Sequence, residues 1–456
     1  MLQTISMLIA LIILLALLIV ISIVVGRNIK TFKTFASVTL PLFPLICTII
    51  ASPIGGGSII GGIESGFHNG IAPLIGLLGF PFQLILIAFF IAPKKLDMLT
   101  VGDLFEKNYG KDLKIAIGIV VIMFNLGIII TLVYSLDFIL KLFVASYTSW
   151  IIICSFIFIL CCYFGGIVSV VWINIVQCLL MLIVPLLCFL LIFCYYDNLS
   201  VFIAHIPATH WQITSHYSYM KLFSMFIGFA LGNMLMPSIL QTINMAQSKH
   251  HAKISYLVAS VFIALFAFFL VMCGISLAVL DVGNVDSIFK YALLKTPFSL
   301  RIVIALSVLI AIISSVKTYL NITAVTFVHD ILIPLKIKGD ALQAARTGVL
   351  IFGTICLMIA LSVSASLLDM LLFTYTFWGP FFTTPLIGIY FHKTITTRQL
   401  YIISFLTFVA MALWQISGLN KATDIHNLVI GLAVNFVLYI IARIIKTRST
   451  KKFKDF

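Results

Sequence analysis

Apolar stretches of about 20 residues, separated by short polar connections, recur along the whole chain, and a helix of that length crosses the hydrocarbon core of a bilayer. A transmembrane barrel strand would instead alternate polar and apolar residues, and these stretches do not alternate. The pattern therefore predicts an all-α polytopic membrane protein with about thirteen transmembrane helices. The predicted spans are residues 2–25, 36–62, 71–93, 113–139, 149–165, 168–194, 220–242, 254–280, 300–328, 345–365, 367–391, 398–417 and 424–445.

The composition agrees with a membrane protein. Of the 456 residues, 62% are hydrophobic and 9% are charged, whereas soluble domains are about 25% charged. A soluble globular domain and a disordered chain are both excluded by these values. The formal net charge of +14 would suggest nucleic-acid binding in a soluble protein. Here the basic residues gather in alternate connections between spans, which indicates cytoplasmic loops and no nucleic-acid partner.

The same charge placement predicts the topology. Residues 1–6 hold no Lys or Arg, so we place the N-terminus outside and the C-terminal basic run in the cytoplasm. The expected location is a cell membrane, crossed many times. Nucleophile–base motifs and phosphate-binding loops are absent from the sequence, and all nine cysteines lie in apolar stretches without a CxxC pair. We therefore expect a transporter and not an enzyme.

Two predicted spans contain helix-breaking residues near their centres. The second span reads ASPIGGGS from Ala51 to Ser58, and three consecutive glycines after a proline disfavour a continuous helix. The seventh span contains glycine, asparagine and proline between Gly228 and Pro237. Transporters often bind their substrate at such unwound positions in the middle of the membrane. Because the two spans are five apart, they predict an inverted five-plus-five repeat bundle with discontinuous helices.

The repeat divides the chain, which we treat as a single integral membrane transporter domain over residues 1–456. Each part is expected to consist of membrane helices except the last. The parts are an extra N-terminal helix at 2–25, a first repeat at 36–194, a second repeat at 220–391, two C-terminal helices at 398–445 and a cytoplasmic basic tail at 446–456.

Hydroxyl groups cluster on the ninth predicted span, at Ser314, Ser315 and Thr318, with Lys317 among them. Hydroxyl oxygens that face unwound carbonyl groups offer a hard cation the ligands it prefers. A lysine inside a span is unfavourable unless it is hydrated or paired. The ninth span thus carries candidate hydroxyl ligands for a cation, and Lys317 beside them is a candidate competitor for the same site.

Four stretches together resemble the sodium/solute symporter family, which includes the sodium/proline, sodium/sugar and high-affinity choline transporters. These stretches are Ala51–Gly62, Thr100–Gly110, Tyr163–Gln177 and Ile313–Asp330. The resemblance implies the inverted-repeat fold and sodium as the coupling ion, with no other metal and no cofactor. It also implies a sodium site of two backbone carbonyls and two hydroxyls, at Ala51, Ile54, Ser314 and Ser315.

The predicted coupling positions depart from the family pattern in two ways, through a lost acid and an added lysine. Family members with a second sodium site carry an aspartate where this chain has Asn174, and hydroxyls where it has Lys317 and Thr318. Three interpretations of Lys317 are open. It replaces a second sodium ion only; it replaces sodium coupling altogether, which gives proton-coupled or uncoupled transport; or it extends toward the cytoplasm without a role in transport.

The candidate solute-binding residues lie at the two breaks and on the fourth and eleventh spans. Choline itself is not implied, because Pro53, Ser58 and Met236 replace the aromatic residues of the choline-transporter cage. The remaining set is uncharged, which favours a small neutral, zwitterionic or anionic organic solute. The predicted solute-binding residues are Gly55, Gly56, Gly57, Ser58, Asn125, Asn233, Met236, Gln241, Tyr375 and Trp378.

The sequence therefore predicts secondary active, sodium-coupled symport of such a solute by alternating access. Proton-coupled or uncoupled transport governed by Lys317 is the first alternative. A solute sensor that does not transport, built on the same scaffold, is the second. A channel is disfavoured because the polar positions within the spans are isolated and form no continuous pore.

Overall fold

The computed structural model describes residues 2–452 except 95, 97, 144–146, 185, 188–189, 192–197, 279–287, 295 and 363–366. Within these described residues the chain forms helices joined by short connections, and its one β-type pairing is an isolated bridge between Leu40 and Ala246. The expected all-α fold class is confirmed. The predicted span ends at 194, 280 and 365 and the tail residues 453–456 lie outside the described residues.

The α-helices have the following bounds. They are α1 Leu2–Gly26, α2 Phe32–Ala36, α3 Leu42–Ala51, α4 Gly56–Asn69, α5 Ala72–Leu77, α6 Gly79–Leu86, α7 Val101–Tyr109, α8 Lys111–Phe143, α9 Tyr147–Leu180, α10 Leu199–His205, α11 Ala208–Trp211, α12 Tyr219–Leu231, α13 Pro237–Met245, α14 Lys249–Ile275, α15 Ile288–Leu294, α16 Phe298–Thr326, α17 Ala341–Ala360, α18 Leu367–Thr376, α19 Gly379–Tyr390, α20 Thr397–Ile416, α21 Leu419–Thr423 and α22 Asn427–Lys452. Two π-helical turns, Ile87–Ile91 and Phe327–Leu332, and a 3₁₀ turn, Ala92–Lys94, extend α6 and α16.

Nine helical segments of the described chain are long and apolar enough to cross a membrane. A tenth span consists of α3 and α4, which are bent by 59° at their junction. Of the other three predicted spans, two correspond to broken pairs, α12 with α13 and α18 with α19. The third arises because α9 is one of the nine segments but was predicted as two spans. The polytopic helical architecture is confirmed, while the count of thirteen spans stays a prediction.

The predicted division between the fifth and sixth spans coincides with a kink in α9. Gly166 has φ 43° and ψ −147°, a left-handed conformation that side chains with a Cβ rarely adopt. A Cβ at this position would also lie 2.7 Å from the ring of Phe35. Glycine is thus required both by the backbone angle and by the close approach of α2.

The central helix of the molecule is α16. Its residues from Ser307 to Thr326 are all buried, as expected for a helix that is surrounded by other helices on every side. It packs against α8, α9 and α17. This position brings the hydroxyl groups of Ser314 and Ser315 and the side chain of Lys317 into the interior.

The C-terminal helix is longer than the predicted last span. Helix α22 continues from Asn427 to Lys452, so the predicted basic tail begins inside a helix. Arg443 Nη1 and Lys446 Nζ each donate to the Thr394 carbonyl at 3.1 Å. Basic residues with good helix propensity and these two anchors extend the helix beyond its apolar part.

The packing of α4 on α14 generates a stability prediction. A Cβ on Gly66 would collide with the Val271 backbone carbonyl, whereas a Cβ on Gly61 of the same helix would meet no described atom within 4 Å. We expect Gly66→Ala to lower the free energy of unfolding by about 1–3 kcal/mol. Gly61→Ala should leave it unchanged or raise it by about 0.5–1 kcal/mol. Melting temperatures in detergent would check this, and equal effects of the two variants would contradict it.

Candidate functional site

The junction of α3 and α4 is a break in the helix at the centre of the molecule. Helix α3 ends at Ala51 and α4 begins at Gly56. A Cβ on Gly55 would lie 2.6 Å from Leu132 Cδ2 of α8 and 3.5 Å from Ser315 Oγ of α16. The predicted glycine run therefore allows the unwound backbone to lie directly against these two helices.

The structure brings the predicted sodium-binding residues together around this break. Ser314 and Ser315 lie in the middle of α16, and both are buried. Ser315 Oγ, which lies beside the break, has no hydrogen-bond partner among the described residues. Ser314 Oγ is hydrogen-bonded to Asn174 Oδ1 of α9. A buried hydroxyl without a partner, next to carbonyls freed by the break, is a donor set of the kind that a hard cation prefers.

Both freed carbonyl groups accept hydrogen bonds from a single side chain, that of Gln177 on α9. Gln177 Nε2 lies 3.3 Å from the Ala51 oxygen and 2.6 Å from the Ile54 oxygen. The side chain is completely buried, and its Oε1 has no partner within the described chain. The amide thus bridges the break and satisfies the two carbonyls predicted to bind sodium.

The three predicted coupling residues have different partners. Asn174 contacts Ser314, and Thr318 Oγ1 donates to the Ser314 carbonyl at 2.9 Å. Lys317 is 0% exposed, and its Nζ lies 3.3 Å from Ser22 Oγ of α1. The amino group of Lys317 therefore does not extend to the aqueous surface, and it contacts the N-terminal helix.

The second predicted break lies between α12 and α13. Helix α12 ends at Leu231 and α13 begins at Pro237, and between them Leu235 has φ 57°. Here too the freed carbonyls have side-chain donors. Trp378 Nε1 donates to the Met234 carbonyl at 3.0 Å, and Thr383 Oγ1 donates to the Leu231 carbonyl at 3.0 Å.

Aromatic and amide groups from the predicted solute set lie in the interior near the breaks. Phe124 of α8 contacts Trp378 and Tyr375, with ring centroids 5.1 and 6.4 Å apart. The neighbouring Asn125 is 0% exposed, and both its amide atoms lack partners among the described residues. Asn125 shares a face of α8 with Leu132, because seven residues make two helical turns. That face is the one that packs against the first break.

Other members of the predicted solute set have local roles. Ser58 Oγ accepts from the Gly55 amide at 3.2 Å, which caps α4. Asn233 lies buried within the second break. Met236 Sδ accepts from the Tyr319 hydroxyl at 3.6 Å.

The three glycines and Gln241 differ in their surroundings. Gly55 and Gly56 are tightly packed, whereas a Cβ on Gly57 would meet no described atom within 4 Å. Gln241 instead lines a separate pocket with Thr100 and Thr326.

Comparison with known proteins identifies the family. The model of the sodium:solute symporter family matches residues 34–400. The chain belongs to this family. No curated protein sequence matches the chain.

Solved structures share the fold of this symporter at low sequence identity. A Na⁺-coupled sialic acid symporter in a substrate-bound outward-open state has a TM-score of 0.78 at 16% identity, with 96% of this chain and 98% of the other covered. A nucleobase-cation-symport-1 family transporter with bound bromovinylhydantoin has a TM-score of 0.62 at 17% identity, with coverage of 91% and 94%. MhsT in complex with L-phenylalanine has a TM-score of 0.55 at 14% identity, with coverage of 90% and 98%.

Sequence reasoning missed two residues of this symporter that contact the candidate site residues, Gln177 and Ser22. Gln177 ends one of the motif stretches, so its position was marked by the resemblance, but no role was assigned to it. Ser22 lies in a predominantly apolar span, and the one signal in the sequence was its polar side chain within the apolar run 7–25. Both make contacts between distant parts of the chain, which local patterns do not reveal.

Two other motif stretches of the symporter meet in a polar cluster on α7 and the end of α16. Asp103 accepts hydrogen bonds from Lys114 Nζ at 2.8 Å and from His329 Nε2 at 2.9 Å. Thr100 Oγ1 donates to Asp330 Oδ1 at 2.6 Å. The ligand atoms of Asp103, His329 and Asp330 lie within 4.8 Å of one another. Since the Lys114 ammonium already supplies positive charge, we interpret the cluster as a structural tether.

The charge state of Asp103 follows from its partners. Burial alone would raise the pKa of this carboxyl, but the hydrogen bonds from His329 and Lys114 outweigh burial and hold the pKa well below its ordinary value. A carboxyl with a depressed pKa stabilises the folded state above its unfolded-state pKa. That contribution is lost as the pH falls toward the folded-state pKa.

We therefore expect Asp103→Asn to lower the free energy of unfolding at pH 7 by about 2 kcal/mol. The difference from the wild type should shrink as the pH falls below about 4, near the pKa of an unfolded aspartate. Melting temperatures measured from pH 7 to pH 3 would check this. Glu106→Gln is the matched control, because Glu106 pairs with the same Lys114 but its side chain is 42% exposed. A pH-independent effect of Asp103→Asn would contradict the prediction.

Proposed function

We propose that the protein carries a small organic solute across the membrane by symport with sodium, and that the ion binds at the break between α3 and α4. The observation that carries this proposal is that three oxygen groups lie together at this break. They are the carbonyls of Ala51 and Ile54 and the unpartnered hydroxyl of Ser315. Membership of the sodium:solute symporter family supports it. The site offers neutral oxygen atoms alone, which suit a hard monovalent cation.

The orientation of the broken helices supports separate places for ion and solute. The C-terminus of α3 presents carbonyl groups, whose partial negative charge favours a cation. Helices α4 and α13 each begin at a break, and their N-termini present amide groups. The partial positive charge of these groups favours an anionic group. We infer that the sodium ion lies at the end of α3 and that a polar or anionic group of the solute lies near the start of α4.

The proposed solute is small and neutral, zwitterionic or anionic. The candidate lining contributes the amide of Asn125 and the aromatic groups of Tyr375 and Trp378, and none of these is acidic. A cationic solute would lack a counter-ion there. Solved structures of the same fold include a sialic acid symporter and transporters in complex with bromovinylhydantoin and with L-phenylalanine. Each of these three ligands is a small organic solute.

A second candidate function is proton-coupled or uncoupled transport. The observation that favours it is the complete burial of Lys317, with the Ser22 hydroxyl as its hydrogen-bond partner. A hydroxyl can accept from an ammonium group and donate to a neutral amine, so this environment suits both protonation states of a lysine. In this alternative, the proton on Lys317 takes the place of the bound sodium ion.

Sodium binding to purified, substrate-free protein tests the primary proposal. We expect saturable binding to the wild type and a dissociation constant that is about 10- to 100-fold higher in Ser315→Ala, because one ligand oxygen is lost. Ser307→Ala is the control, since the Ser307 hydroxyl donates to the Val303 carbonyl of its own helix. Labelled sodium or a melting-temperature shift against potassium would serve as readout. Equal binding by Ser315→Ala and the wild type would overturn the site.

The same measurement on Lys317→Met separates the two candidate functions. If Lys317 replaces sodium coupling, the wild type will not bind sodium and the variant will. If sodium coupling operates, the wild type binds sodium already, and removal of the lysine leaves the Ser315-dependent site intact.

Alternating access generates a cross-linking prediction. Cys47 of α3 and Cys178 of α9 lie close to each other where these two helices pack. We propose that the inner half-helix α3 moves away from α9 when the site opens to the cytoplasm. A disulfide between these thiols would prevent that movement, so oxidation should abolish uptake and a reductant should restore it. Cys178→Ala should make uptake insensitive to the oxidant, and continued sensitivity of this variant would contradict the prediction.

A further inference from the structure

The Gln177 side chain occupies a position that the proposed sodium ion would need. Its Nε2 lies 2.6 Å from the Ile54 oxygen and 3.3 Å from the Ala51 oxygen. Hard cations lie at about 2.3–2.6 Å from their oxygen ligands. The Gln177 amide nitrogen is therefore about as far from the Ile54 oxygen as a bound cation would be.

The orientation of this amide is determined by its neighbours. Both nearby groups are carbonyl oxygens, which only accept hydrogen bonds, so the NH₂ end must face them. Oε1 then points away, is buried and has no partner among the described residues. The Gln177 amide thus donates hydrogen bonds to both carbonyl oxygens, while its own oxygen, Oε1, receives none from the described residues.

We infer that Gln177 is an exchangeable cap on the sodium site: its amide holds the Ala51 and Ile54 carbonyls when sodium is absent and leaves them when sodium binds. This inference rests on the proposed function and assigns a role within the same site. The cap has two consequences. It lets the ion-free protein exist without unsatisfied carbonyls inside the membrane, and it competes with sodium, which weakens binding and favours release of the ion.

Substitution of Gln177 by leucine tests the inference, because leucine has a similar size but cannot donate a hydrogen bond. We expect substrate-free Gln177→Leu to bind sodium about tenfold more tightly than the wild type, since sodium no longer displaces two hydrogen bonds. Its melting temperature should fall in potassium, where the carbonyls lack a partner. It should rise more on addition of sodium than that of the wild type.

The matched control is Gln83→Leu. Gln83 of α6 is also completely buried, and its amide has no partner in the described part of the chain. This variant should keep the wild-type dissociation constant and the wild-type sodium-dependent shift. A purely structural role of Gln177 would lower the melting temperature equally in sodium and in potassium. If Gln177→Leu fails to fold, Gln177→Met serves instead, because its unbranched side chain has nearly the same shape but neither a donor nor a charge, and it should also bind sodium more tightly.

The outcomes distinguish the inference from the proposed function. Unchanged or weaker sodium binding by the Gln177 variants, with wild-type binding that Ser315→Ala weakens, would overturn the cap and leave the sodium site standing. Sodium binding that appears only in the Gln177 variants would support the cap strongly. Absence of sodium binding in all these proteins would overturn the site and the cap together.

Discussion

Backbone polar groups inside a membrane must find their partners within the protein, because the hydrocarbon core offers none. A continuous helix meets this requirement by itself, but a broken helix does not. Two of the helix interruptions in the symporter lie near its centre, at residues 52–55 and 232–236. Each break has its own donors from other helices. Gln177 serves the first, and Trp378 and Thr383 serve the second.

The donors at the two breaks differ in their freedom to move. Trp378 is completely buried and stacks on Phe382 with ring centroids 4.6 Å apart, so its indole is held in place. Gln177 reaches the first break through a flexible side chain with three rotatable bonds. A rigid donor makes a permanent contact, whereas a flexible one can exchange with another partner. This difference is consistent with ion binding at the first break and a fixed structural role for the second.

The sequence predicted the features that local residue types encode. A proline before three glycines indicated the first break, and adjacent serines on an apolar span indicated the facing hydroxyls. Gln177 was missed as a partner because it lies 123 residues from Ile54 in the chain, and no local pattern reports such a pairing. The direction of Lys317 was undetermined for the same reason. Its position on the helix was known, but the neighbour that it contacts was not.

The contact of Lys317 with Ser22 links the buried centre of the molecule to a helix outside the part of the chain that defines the family. Ser22 belongs to α1, whereas the family match begins at residue 34. Leu11, Leu15 and Leu18 form a buried stripe on α1, so the helix is held firmly where Ser22 meets the amino group of Lys317. A buried amino group, charged or neutral, depends on the hydrogen-bond partners that surround it. The hydrogen bonding of Lys317 is therefore set partly by α1, a helix outside the matched region, and not by the shared motifs alone.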